Sequence, residues 1–179
     1  MKMLKKLLAV VLTGAMALTL LTACGGNAVN DKNIADALND MAKGSLATYT
    51  FKSRTDEQAM AKAIAALPEK DWNITAGGGN NKFSGPVMKI LGLDEGSTNK
   101  TSRFVWCGAV VADEIGATGQ AYHAMNEFLG KDAANAGKLP NKKPGDIRYI
   151  GTALGTLTIH GKQTTVRFIV VTAEAVDKK

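Results

Sequence analysis

Cysteine and histidine are scarce in this 179-residue sequence, at two apiece. Two cysteines cannot form the multi-bridge framework of a disulfide-stapled secreted domain. No grouping of His, Cys, Asp and Glu has zinc-ligand spacing, so no metal or other cofactor is expected. Aromatic residues make up only 6%, and no Lys/Arg cluster is interleaved with them. A net charge of +6 therefore does not point to nucleic acid. The one glycine-rich stretch, GGGNN at 77–81, follows no apolar strand and is closed by no Lys-Ser/Thr pair, so it reads as a turn and not as a phosphate loop. Internal repeats are absent.

What is present begins at the N-terminus. MKMLKKLLAVVLTGAMALTLLTAC opens with Lys2, Lys5 and Lys6 and no acid, runs through an apolar stretch from Leu7 to Leu21, and ends in small residues before Cys24. This is the anatomy of a secretory signal peptide. The apolar run is too short, and too interrupted by Thr13, Gly14 and Thr19, for a membrane span. LTAC at 21–24 resembles the bacterial lipobox, which implies that the Cys24 thiol is lipidated and becomes the mature N-terminus. Dual acylation anchors a protein stably where one chain does not, so the expected location is the extracytoplasmic face of a membrane. Loss of residues 1–23 removes three lysines and lowers the net charge from +6 to +3. The remainder reads as a tether over 24–30 and a single domain over 31–179, large enough to bury a core without disulfides.

Within that domain, Ile34, Ala37, Leu38 and Met41 recur at helical spacing before Gly44, which predicts a helix over 31–43. LATYTFK at 46–52 alternates as a strand. Thr55 with Gln58 has the pattern of a capping box, opening a helix that Pro68 stops. A short helix is predicted over 86–91 and another over 120–129. GKLPNKKPGD at 137–146 reads as a loop. Strands are predicted over 147–150, 154–160 and 164–173, with HGKQ turning between the last two. Helices first and strands last indicate an α+β fold.

Cys107, in FVWCGAVVADEIG, is the one cysteine besides Cys24. Ala109, Val110, Val111 and Ile115, with Gly116 as a stop, suit a buried helix, which places Cys107 at its N-terminus. There, unpaired N–H groups and the helix dipole stabilise a thiolate. Two readings of the residue stand: a nucleophile served by a histidine, or a small buried hydrophobe. His123 lies off the apolar face of its helix and reads as a surface residue. His160 ends a strand and reaches Cys107 only through the fold. Asp113 and Glu114 are adjacent helix positions and do not face each other, so they read as solvated.

WCGAVV at 106–111, the helix carrying AYHAMNEFLGK, KPGDIRYI at 143–150 and then His160 resemble, in order, the catalytic half of the NlpC-type and CHAP-type cysteine hydrolases of bacterial cell walls. GGGNN followed by PVMKILGL is similar to a segment that precedes Trp-Cys in some members. The resemblance spans about residues 72–170. It implies a papain-like arrangement, with N-terminal helices packed on a small antiparallel sheet. It also implies that a Cys107–His160 dyad cleaves peptide or amide bonds, with peptidoglycan as the partner and no metal. For the third, orienting residue Glu174 is the nearest acid on the last strand and Thr172 a weaker candidate. The alternative is a lipid-anchored, non-catalytic binding or interaction module.

Overall fold

The computed structural model of the chain describes residues 29–72, 83–97, 99–113 and 115–178. Helix α1, Asp31–Gly44, starts from a reciprocal cap. The Asn30 side chain accepts from the Asn33 N–H at 3.0 Å and the Asn33 side chain accepts from the Asn30 N–H at 3.1 Å. Ile34, Ala35, Leu38 and Ala42 form its buried stripe. Strand β1 is Thr50–Ser53, shorter and later than the alternation predicts. Helix α2, Thr55–Ala65, follows directly. The expected capping box at Thr55 does not form, because Arg54 occupies the cap and Thr55 is already the first helical residue. Acidic Asp56 and Glu57 occupy the first turn instead, where the helix dipole favours them. Helix α3, Gly85–Leu91, has both of its ends set by sequence. The Ser84 hydroxyl accepts from the Val87 N–H, and Gly92 takes the left-handed conformation at φ 65°.

The segment expected to be a helix after Cys107 is a strand. β2 runs Arg103–Val111 and pairs antiparallel with β4, residue by residue, from Arg103↔Glu174 to Val111↔Val166. The reason is burial on both faces. Phe104, Val105, Trp106, Cys107 and Val110 are all buried, so the apolar run never alternates and its length and flanks do not separate strand from helix. Helix α4, Ala117–Ala124, continues into a π-helical turn over Met125–Leu129. The expected loop over 137–146 closes early. From Lys142 the chain is already in β3, which runs unbroken to Ile159 and bulges between Pro144 and Arg148. β4 is Lys162–Asp177. The residues between β3 and β4, His160 and Gly161, both have positive φ (49° and 76°), as a two-residue hairpin turn requires.

The four strands lie in the order β1-β3-β4-β2. β1 is parallel to β3 and the other pairs are antiparallel, so this α+β fold carries a mixed sheet where a purely antiparallel one was expected. Alternation along β4 divides the core. Ile169, Val171 and Ala173 meet α1 and α4 on one face, while Val166, Phe168 and Val170 meet α2 and α3 on the other. Full burial of a side chain such as Ile34, Ile64, Leu91 or Ile169 stabilises the fold by about 1.5–3 kcal/mol. Glycine allows close approach on both faces. A Cβ at Gly108 would enter the Phe128 ring, and one at Gly151 would enter the α2 backbone. No helix among the described residues is long and apolar enough to cross a membrane.

Candidate functional site

Cys107 sits in the middle of β2, opposite Val170 and 3% exposed. It packs in the apolar layer under α2 and α3 with Val105, Leu91 and Phe168. No helix begins there, so neither a dipole nor free N–H groups support a thiolate. Burial pushes the thiol up to about 12, which keeps it protonated at neutral pH.

The structure does not bring the three expected catalytic residues together. His160 is exposed at the tip of the β3–β4 hairpin. Lys162, the first residue of β4, is eight positions from Val170, the partner of Cys107. At about 3.3 Å per residue, that separation along the strand is roughly 26 Å, and His160 lies beyond it at the tip. Glu174 is beyond Cys107 in the opposite direction along β4, where it pairs with Arg103 at 3.3 Å. Thr172 is buried, and its hydroxyl donates to Glu57 at 2.7 Å. His123 is exposed on α4, as read from its helical position. Asp113 follows β2, not a helix position, and accepts from the Thr165 N–H at 2.7 Å. Cys24, Glu114 and the GGGNN segment lie outside the described residues.

The fold instead assembles three arginines that the sequence reading passed over. Arg54, at the start of α2, forms two bonds to the fully buried Glu57, through Nε at 2.7 Å and through Nη2. It also lies 3.8 Å from the centroid of the Tyr149 ring. Burial pushes the Glu57 carboxyl up, but the hydrogen bonds from Arg54 and Thr172 and the Arg54 charge outweigh it and hold the group below the usual carboxylate range.

Arg167 is buried on the opposite face. Its three nitrogens donate to Gln120 Oε1 at 2.7 Å, Thr152 Oγ1 at 2.9 Å and the Val29 carbonyl at 2.9 Å. Asp31 accepts from the Thr152 hydroxyl at 2.6 Å and from Gln58 at 2.9 Å. These bonds fasten the start of α1 to β3 and α2 beside a shallow cleft of about 320 Å³. Each nitrogen of the Arg167 guanidinium group donates a hydrogen bond, so this network ties elements together.

Arg148 differs. It extends from β3 on the α1 face, in the row Phe51–Arg148–Ala173 across the sheet. Its guanidinium carbon lies 3.5 Å from the Tyr49 ring centroid, 5.0 Å from that of Trp106 and 5.9 Å from that of Phe51. Nε is buried and has no hydrogen-bond partner. Among the described residues no carboxylate pairs with it, and burial draws its pKa down. The Trp106 indole N–H is already used, donating to the Lys131 carbonyl at 2.9 Å. The signal that could have found this group is a charged residue at an inward position of a strand, IRYIG, but its rings come from positions far away in sequence.

Among the described residues no group of three or more His, Cys, Asp or Glu is placed to hold a metal. Among the described residues the arrangement is a cation set among aromatic rings, and His160 and His123 both lie away from the Cys107 thiol. Comparison with family models, with curated proteins and with solved structures finds no match to this chain.

Proposed function

We propose that this chain is a non-catalytic binding module, held by a lipidated Cys24 on the extracytoplasmic face of a bacterial membrane. The leader and its LTAC ending support the anchor and the location. The observation that carries the non-catalytic reading is the position of Cys107: mid-strand, buried, with its thiol raised to about 12 and His160 at the far tip of a hairpin. A Cys-His dyad needs the imidazole within about 2.6–3.2 Å, or somewhat more in an unliganded state. Some 26 Å is outside any such allowance.

The competing reading is a papain-like cysteine hydrolase acting on peptidoglycan. It has in its favour the order of WCGAVV, KPGDIRYI and His160 along the chain. It requires Cys107 to begin a helix and His160 to reach it, and β2 supplies neither condition. Incubation of the purified chain with peptidoglycan separates the two. The binding module releases no amines, in wild type and Cys107→Ala alike. Release that depends on Cys107 would overturn it. Growth with a labelled fatty acid tests the anchor, since label must enter the wild type and not Cys24→Ala.

A further inference from the structure

Arg148 is the one guanidinium of the three whose hydrogen-bonding edge is unused. Arg54 donates to Glu57 and Thr172, and Arg167 donates to Gln120, Thr152 and Val29. Arg148 makes no side-chain hydrogen bond among the described residues, and its Nε is buried without a partner. A donor withdrawn from water and left unpaired costs about 1–3 kcal/mol, more for a charged group. Such a group calls for an explanation. Stacking on Tyr49 covers the face of the guanidinium and leaves the plane of its N–H groups as the direction open to a partner. Nη1 and Nη2 do not share the buried, unpartnered state of Nε, so they reach solvent.

We infer that Arg148 is the anchor of a binding site for a carboxylate carried on an apolar or aromatic body. The planar fork of a guanidinium matches a carboxylate with two parallel N–H···O bonds. One cation suits one negative charge. Among the described residues no second lysine or arginine stands over the same rings, as a phosphate dianion would favour. Tyr49 and Trp106 supply an apolar wall beside the charge. The inference rests on the binding-module reading and names the class of its ligand.

The test uses the purified full chain in mild detergent, with nitrogen-15 arginine, and follows the Arg148 Nε–Hε resonance. Benzoate is the probe; benzamide is its neutral isostere, and inorganic phosphate is the anion without an apolar body. The expected result is a saturable shift with benzoate, with a Kd on the order of millimolar, and binding at least tenfold weaker for benzamide and for phosphate. Arg148→Lys, which keeps the charge and loses the fork, should weaken benzoate at least tenfold. If that variant fails to fold, the three-probe comparison on the wild type still decides. Equal binding of benzoate and benzamide, or phosphate binding as tightly as benzoate, would overturn the assignment, as would no saturable shift with benzoate. Absence of benzoate binding together with a thiol inert toward peptidoglycan would remove the Arg148 site and leave the module reading in place.

Discussion

Gly151 of β3 lies so close beneath α2 that a Cβ there would collide with the backbone nitrogen of Gln58. The helix can rest on the sheet at this point only because no side chain intervenes. Gly151→Ala must push two backbones apart, and overpacking of this kind costs about 1–3 kcal/mol, occasionally more. We expect the upper end, about 3 kcal/mol, since neither partner is a flexible side chain. Urea denaturation monitored by circular dichroism measures it. A loss below about 0.5 kcal/mol, the level of an ordinary surface substitution, would show that α2 is not seated as described.

The Arg54–Glu57–Thr172 group gives an acid limb to the stability curve. Because the folded-state pKa of Glu57 lies below its unfolded value, the stabilisation is complete above the unfolded value near 4.5. It is lost as pH falls through the depressed folded value. Glu57→Gln should therefore lower stability by about 3–5 kcal/mol at pH 7, since it leaves Arg54 without its buried anion. The same variant should flatten the decline below pH 4.5. Denaturation midpoints compared at neutral and acid pH for wild type and variant test the sign; parallel curves would refute it.

Cys107 gives an alkaline limb of opposite sense. The thiol is protonated in the folded chain up to about 12 and ionises near 9.0 when unfolded. Between these values the unfolded state loses a proton that the folded state keeps, so stability falls as pH rises. The slope is about 1.4 kcal/mol per pH unit. Cys107→Val should remove that slope relative to wild type. In native buffer iodoacetamide should label the wild-type thiol only at the rate of unfolding, and urea should restore ordinary reactivity. Fast native labelling near neutral pH would contradict the buried placement.

His160 offers a substitution on which the two functional readings disagree. Both turn residues need positive φ, and Asn-Gly is a preferred pair for such a turn. His160→Asn should leave the fold intact and raise stability by about 0.5 kcal/mol, at the low end of what local optimisation yields. If His160 were a general base, the same change would abolish activity. A rise in Tm with unchanged ligand binding is the expected outcome, and a folded variant that loses function would favour the hydrolase.

Much of the helical framework was legible in the sequence. Ile34, Leu38 and Met41 mark α1 by their spacing, and Ser84, Pro86 and Gly92 mark both ends of α3. β2 was not legible as a strand. A strand buried on both faces loses its alternation, and Ala109, Val110 and Val111 fit a helix equally well. That single misreading moved Cys107 from a strand interior to a helix N-terminus and carried the catalytic expectation with it. The Arg148 surroundings were illegible for another reason. Tyr49, Trp106 and Arg148 belong to three different strand regions, and only the sheet order makes them neighbours. Periodicity reports which way a residue faces, not what it meets.

The strand order also sets a timetable for the growing chain. β1 and β2 are the edges of the sheet, and the two central strands, β3 and β4, come after both of them in the chain. Thr50 must wait for Ile147, and Arg103 for Glu174. Until β3 and β4 have been made, α1, α2 and β2 have no sheet to lie on and their apolar faces stay uncovered. Contacts of such long sequence separation fold slowly. A nascent chain built this way stays open until the β3–β4 hairpin arrives to close the core over elements made long before it.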